Sequence, residues 1–152
     1  MRSWGAYVAG EIESCAGRLA AAEPHYIRAI ELARTSGATF LVGVATVGLL
    51  TVRAAAGRVD DALRGYREVI GYFARTGNWT HQWTTLRNLA DLLRTLGDDE
   101  PAALLDAAAD RAPDAPAVGP SPAPPDPDTP VLGRADVLDM ARRAIERNLE
   151  RL

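Results

Sequence analysis

Two stretches decide the fold: residues 17–37, GRLAAAEPHYIRAIELARTSG, and residues 57–77, GRVDDALRGYREVIGYFARTG. They match at a 40-residue offset, since each begins Gly-Arg-apolar, places alanine and tyrosine at the same offsets, and closes on Ala-Arg-Thr before a glycine. In both, the apolar residues recur at helical spacing, which predicts two amphipathic helices. The stripes are Leu19, Ala22, Tyr26, Ile30 and Ala33, and then Val59, Ala62, Tyr66, Ile70 and Phe73.

The glycines extend this pattern along the chain, because they stand at twenty-residue intervals: Gly17, Gly37, Gly57, Gly77 and Gly97. A glycine just past a helix takes the left-handed conformation without steric cost and lets the chain reverse. We therefore predict an all-α chain of antiparallel helical hairpins, and strict two-residue alternation typical of a strand is absent. The predicted helices span residues 3–16, 19–35, 38–56, 59–75, 78–96 and 99–111.

The C-terminal part has a different composition. Residues 112–130 hold eight of the ten prolines, and proline lacks a backbone donor, so a proline-rich linker is predicted over 112–132. An amphipathic helix follows in 133–152, with Leu138, Ala141, Ile145 and Leu149 on its apolar stripe. We expect this helix to fold back on the last helix of the repeats, residues 99–111. A free helix that binds a partner remains the alternative.

The repeat region, residues 1–111, resembles the tetratricopeptide repeat (TPR). The stretch 86–97, with Leu86, Leu89, Ala90, Leu93 and Gly97, looks like the first half of that motif, and the segments after Gly17 and Gly57 look like the second half. Residues 77–90, GNWTHQWTTLRNLA, and 100–105, EPAALL, are similar to the C-terminal helical region of actinobacterial STAND ATPase regulators with LuxR-type or SARP-type DNA-binding domains. The resemblance implies a TPR-like α-solenoid of about three hairpins, from a fragment or truncated relative of such a transcriptional regulator. The 40-residue period comes from the sequence itself and differs from the 34-residue period of the tetratricopeptide repeat.

The resemblance also implies where a partner would bind. In tetratricopeptide repeats the first helix of each hairpin lines a concave groove, which suits a short peptide or a partner helix. The alternative is a groove filled by further repeats or by the C-terminal helix. The positions expected to face the groove, and hence to bind a partner, are Trp4, Tyr7, Glu11, Val44, Val47, Thr51, Thr84, Arg87 and Asp91.

Residues that could carry chemistry do not form a recognisable constellation. His25 and His81 fall on different hairpins without metal-ligand spacing, and a metal site needs at least three converging ligands. Cys15 has no basic neighbour that would activate it as a nucleophile. We therefore predict no enzymatic activity, no catalytic residue, no metal and no cofactor. Trp79 and Trp83, spaced i,i+4, are interpreted as core residues, with a partly open binding platform as the alternative.

Charge and composition restrict the partners and the compartment. The formal net charge of −3 argues against direct contact with nucleic acid, which usually needs a basic surface. The longest uncharged run is shorter than the ~20 residues that span a bilayer, so no membrane interaction is expected. A single cysteine and the lack of a signal peptide favour a cytoplasmic protein. Whether the chain forms a homo-oligomer stays open.

The favoured interpretation is a non-catalytic scaffold for protein–protein interaction in signal transduction. The alternative is a peptide or small-ligand sensing module, with its groove around Trp83 and Arg87, coupled to a separate effector domain.

Overall fold

The computed structural model describes residues 2–118 and 126–152, and these residues form seven α-helices and no strand. The predicted all-α class is confirmed, and the observed helix ends lie within one residue of the predicted ones. The C-terminal helix, which was predicted within residues 133–152, begins at Arg134, directly after Gly133. The helices are α1 (Arg2–Cys15), α2 (Leu19–Ser36), α3 (Thr39–Ala55), α4 (Val59–Thr76), α5 (Trp79–Thr95), α6 (Asp99–Arg111) and α7 (Arg134–Arg151).

The glycines at twenty-residue spacing end helices as predicted. All five have positive φ, between 71° and 84°. At Gly37 the backbone N–H donates to the carbonyl of Arg34 (3.3 Å), and the N–H of Ala38 donates to the carbonyl of Ala33 (2.9 Å). This pair of bonds is the Schellman arrangement, which satisfies carbonyls left unpaired at a helix end. Short reversals of this kind place consecutive helices side by side.

The chain divides into two compact units, Met1–Tyr72 and Phe73–Leu152, and the boundary falls near the end of α4. In the first unit α2 packs against both α1 and α3. Tyr26 of α2, which is 1% exposed, lies at the centre of this packing. A β-carbon at Gly10 of α1 would lie 2.9 Å from its ring, and one at Gly48 of α3 would lie 2.5 Å from it. These two glycines therefore let α1 and α3 approach the same aromatic ring closely.

Because Gly48 lies close to Tyr26, replacing glycine by alanine should have opposite effects on stability at Gly48 and at Gly5. Gly48→Ala should destabilise the protein, because overpacking against a rigid ring costs about 1–3 kcal/mol and exceeds the helix-propensity gain of about 0.5–1 kcal/mol. Gly5→Ala should stabilise it by that gain alone, since nothing lies within 4 Å of a β-carbon there. Urea unfolding of both variants measures the difference. Shifts of the same sign in both would contradict the packing around Tyr26.

The second unit is built on α5, α6 and α7, in which α6 contacts both of the others. The prediction that the C-terminal helix folds back on the helix of residues 99–111 is thus confirmed. The apolar residues of α7 at 0–1% exposure are Val137, Ala141, Ala144 and Ile145. Of the predicted linker, residues 112–118 and 126–132 form turns and bends, and residues 119–125 lie outside the described residues.

A polar contact fixes the C-terminal half of α7. The Asp98 carboxylate, just before α6, accepts hydrogen bonds from the guanidinium of Arg147 (2.8 Å) and the side-chain amide of Asn148 (2.7 Å). Burial acts to raise the pKa of Asp98, but the hydrogen bonds from Arg147 and Asn148 outweigh it, and the pKa lies below its ordinary 3.8. The folded state therefore favours the ionised carboxylate.

This contact predicts a pH-dependent variant. Because the folded-state pKa of Asp98 is lowered, its stabilisation is present above the unfolded-state pKa and is lost as the pH falls through the folded-state pKa. Asp98→Asn should lower the free energy of unfolding by about 1 kcal/mol near neutral pH, and the gap to wild type should narrow progressively as the pH falls below about 4. Urea titrations at pH 7, 5 and 3 test this. A gap that is the same at pH 3 and pH 7 would show that the charge of Asp98 is not responsible.

Candidate partner-binding surface

Three of the residues predicted to bind a partner lie together on α1. Trp4, Tyr7 and Glu11, which we call the α1 surface, are spaced i, i+3, i+7 and so share one helix face. The rings of Trp4 and Tyr7 are in contact at a tilt, with centroids 5.4 Å apart and planes at 43°. Trp4 is 50% exposed, and Tyr7 and Glu11 are half-buried. The α1 surface is thus an aromatic pair beside a carboxylate that solvent can reach.

Tyr26 completes this surface from α2. Its hydroxyl donates a hydrogen bond to Glu11 Oε1 at 2.5 Å, and its ring lies 6.2 Å from that of Tyr7. Burial and then the hydrogen bond to Glu11 raise the pKa of Tyr26, and burial and then the charge of Glu11 raise the pKa of Tyr7. Both phenols therefore stay protonated and can donate to Glu11. Sequence reasoning placed Tyr26 in the core stripe and gave no sign of this hydroxyl contact with Glu11.

Large apolar side chains continue along α1 into solvent. Val8 and Ile12, one and two turns after Trp4, are 38% and 59% exposed. Three of the eight large hydrophobic residues that are exposed within the described part of the chain therefore fall on this 14-residue helix. Exposed aromatic and aliphatic residues gathered in one place mark interaction surfaces more often than isolated ones do.

The predicted residues of α3 lie in the same unit, since α3 also contacts α1. Val44 and Val47 are half-buried, and Thr51 is exposed, with its hydroxyl donating to the carbonyl of Val47 at 3.0 Å. Phe40, one turn before Val44, is 48% exposed. It belongs to the same helix face, although it is not among the residues predicted to bind a partner.

The predicted residues of α5 belong to the second unit and are mostly engaged within it. Arg87 donates to Asp110 of α6 at 2.7 Å and its side chain is 17% exposed. Asp91 accepts from Arg94 at 3.1 Å. Thr84 is exposed. The charged members of this set therefore serve intramolecular ion pairs in the second unit.

Trp79 and Trp83 form a second aromatic cluster, which we call the Trp79 cluster, together with Asp114 and Arg134. The two indoles are tilted by 47° with centroids 5.0 Å apart. Trp83 Nε1 donates to Asp114 Oδ1 at 2.8 Å, and Arg134 donates to Asp114 Oδ2 at 2.5 Å. The guanidinium carbon of Arg134 lies 4.6 Å from the Trp79 ring centre, which is cation–π geometry. Trp83 is buried at 3% exposure, and Trp79 is half-buried.

Beside the Trp79 cluster is a cleft of about 170 Å³. Trp83, Asp114 and Arg134 line it, together with Arg111 at the end of α6 and Val131. The hydrogen bond from Trp83 is the main cause that lowers the pKa of Asp114, and Arg134 adds to it. The carboxylate of Asp114 is thereby held ionised next to its arginine.

The remaining candidates for chemistry stand apart. Within the described residues no group of three or more His, Cys, Asp and Glu side chains could hold a metal ion. Cys15 is exposed at the end of α1. His81 accepts or donates a hydrogen bond at 3.0 Å with Asn78, and burial lowers its pKa. No helix of the described chain has the length and apolarity to cross a membrane.

Comparison of the chain with protein-family models, with curated proteins and with solved structures finds no match.

Proposed function

We propose that this chain is a non-catalytic scaffold for protein–protein interaction, and that the α1 surface is part of the face that binds the partner. The observation that carries the proposal is the half-exposed indole of Trp4, in contact with Tyr7 and followed by exposed Val8 and Ile12. Tryptophan and tyrosine are the residues most enriched among interface anchors. Their rings lie on a helix that approaches Tyr26 closely at Gly10, where a β-carbon would lie 2.9 Å from the ring, and a surface on a closely packed helix loses less conformational entropy on binding.

We further propose that residues 1–111 are TPR-like repeats of an α-solenoid with a 40-residue period, followed by a proline-rich linker. The five positive-φ glycines at twenty-residue spacing support this architecture, because they divide this region into helices of 13 to 18 residues. The likeness of residues 77–90 and 100–105 to the helical region of STAND ATPase regulators supports an origin in a transcriptional regulator that transmits signals. In this proposal the segment contacts proteins or peptides and not nucleic acid, and it acts in the cytoplasm.

An unbiased peptide selection tests the proposed function. The full chain is immobilised and used to select from a phage-displayed library of 12-residue peptides, and the affinities of enriched peptides are then measured. We expect enriched peptides to bind at least about tenfold more weakly to Trp4→Ala, as for an interface anchor. Val118→Ala, which truncates an apolar side chain of 57% exposure in the second unit, is the control. No enrichment, or equal binding to Trp4→Ala, would count against the proposal.

A second candidate function is the sensing of a small ligand at the cleft beside the Trp79 cluster. The observation that favours it is a cavity of about 170 Å³ lined by an indole and two arginines. A ligand that binds only the folded state raises its melting temperature. A thermal-shift screen of metabolites, repeated on Arg111→Ala, tests this candidate: a stabilising compound whose effect disappears in the variant supports it, and silence across the screen rejects it.

A further inference from the structure

All but one of the half-buried carboxylates among the described residues are paired with an arginine. Six acidic residues are half-buried, and five of them lie within 4 Å of an arginine. The pairs are Glu13 with Arg18, Glu23 with Arg53 and Arg58, Asp98 with Arg147, Asp106 with Arg94, and Asp114 with Arg134. Glu11 is the sixth, and the side-chain hydrogen bond that it accepts comes from the neutral hydroxyl of Tyr26.

The exception matters because a partly desolvated carboxylate is costly unless a cation or several donors compensate it. A phenol donates one neutral hydrogen bond, which is weaker than the charge-assisted bonds of a guanidinium. The nearest arginine in sequence, Arg18, is paired with Glu13. The carboxylate of Glu11 therefore keeps an unmet preference for a cation.

The Trp79 cluster contains the same kinds of group as the α1 surface, and an arginine in addition. It has a tilted aromatic pair (5.0 Å, 47°), a carboxylate that accepts from an aromatic donor, and an arginine that touches both the carboxylate and a ring face. The α1 surface has the tilted aromatic pair (5.4 Å, 43°) and a carboxylate that accepts from Tyr26, but no arginine. In the second unit the cation comes from the first residue of another helix, Arg134 of α7.

We propose that the α1 surface receives an arginine side chain of the partner polypeptide, with the guanidinium over the ring of Trp4 and paired with Glu11. This inference rests on the proposed function and names the chemistry of its partner. Arginine fits better than lysine because its planar group stacks on an aromatic face while it donates in plane to a carboxylate. Val8 and Ile12, exposed further along α1, then contact apolar residues that flank the arginine.

The experiment uses the ¹⁵N-labelled full chain and two capped pentapeptides, acetyl-Gly-Ala-Arg-Ala-Gly-amide and the same peptide with uncharged citrulline in place of arginine. The indole N–H signal of Trp4, assigned from its loss in Trp4→Phe, reports binding. We expect the arginine peptide to shift this signal and to bind about tenfold or more tightly than the citrulline peptide, with a preference that weakens as salt is added. Equal affinity of the two peptides would overturn the inference.

Glu11→Gln supplies the matched variant, because its amide oxygen still accepts from Tyr26 while its charge is gone. It should lower the affinity for the arginine peptide about tenfold or more and leave the citrulline peptide unchanged, whereas Glu68→Gln, an exposed site on α4, should change neither. Unchanged arginine affinity in Glu11→Gln would overturn the inference. If Glu11→Gln does not fold, the comparison of the two peptides on the wild-type chain decides alone.

The outcome is separable from that of the peptide selection. Enriched library peptides that lack arginine and bind Glu11→Gln normally would overturn this inference and leave the proposed function standing. A library that yields no binder, together with equal affinity of the two pentapeptides, would overturn both. Sedimentation velocity tests whether a second copy of this chain binds the α1 surface instead. A concentration-dependent dimer that dissociates in Glu11→Gln would assign the arginine to that second copy. It would overturn the assignment to a different partner.

Discussion

Tyr26→Ala is expected to lower the free energy of unfolding of the first unit by about 3–5 kcal/mol, the usual cost of removing a fully buried aromatic side chain. The ring of Tyr26 is 1% exposed and lies against Gly10 and Gly48, which have no side chains that could move into the space. The cavity would therefore stay largely unfilled, and α1 would lose the contacts that Gly10, Glu11 and Tyr7 make with this side chain. Urea unfolding followed by circular dichroism measures the loss.

Tyr26→Phe distinguishes the contribution of the ring to stability from that of the hydroxyl. This variant keeps the packing and removes only the hydrogen bond to Glu11, so the expected loss is about 1–2 kcal/mol. A loss in Tyr26→Ala no larger than that in Tyr26→Phe would mean that the ring does not hold α1 and α3 in place. The presentation of the α1 surface would then need another explanation.

Ile145→Ala is the second large effect that we expect. Ile145 is fully buried on α7, and truncation of a buried isoleucine costs about 2–5 kcal/mol. The loss should appear in the second unit, since α7 packs on α6. Loosening of α7 should also free Arg134 from Trp79, so tryptophan fluorescence should change at lower urea concentration than in the wild type.

Ile12→Ala is the matched control, because the same substitution is made at a side chain that is 59% exposed on α1. Its expected effect on stability is within about 0.5 kcal/mol. A large loss at Ile12, or a small one at Ile145, would show that the burial of these helices differs from that described here. If the proposed function holds, Ile12→Ala should instead weaken the binding of selected peptides.

The helices and their ends could be predicted from local sequence. Helix formation depends on residues three and four apart, and helix termination at Gly37 depends on a backbone conformation that glycine adopts without strain. Both are short-range effects, which is why the glycine spacing located every turn between α1 and α6. The grouping of Trp4, Tyr7 and Glu11 on one face followed from the same periodicity. Whether they bind a partner stays a prediction.

What the amino-acid sequence determined by itself is thus the set of helices, their reversals and the face that each helix presents. Only the tertiary structure decided which side chains meet: that the Tyr26 hydroxyl reaches Glu11 fifteen residues away, and that Trp83, Asp114 and Arg134 converge from three separate segments. The physical reason is that such contacts depend on distances between helix axes. Those distances are set by the sizes of the side chains packed between helices, as at Gly10 and Gly48, and not by any local rule.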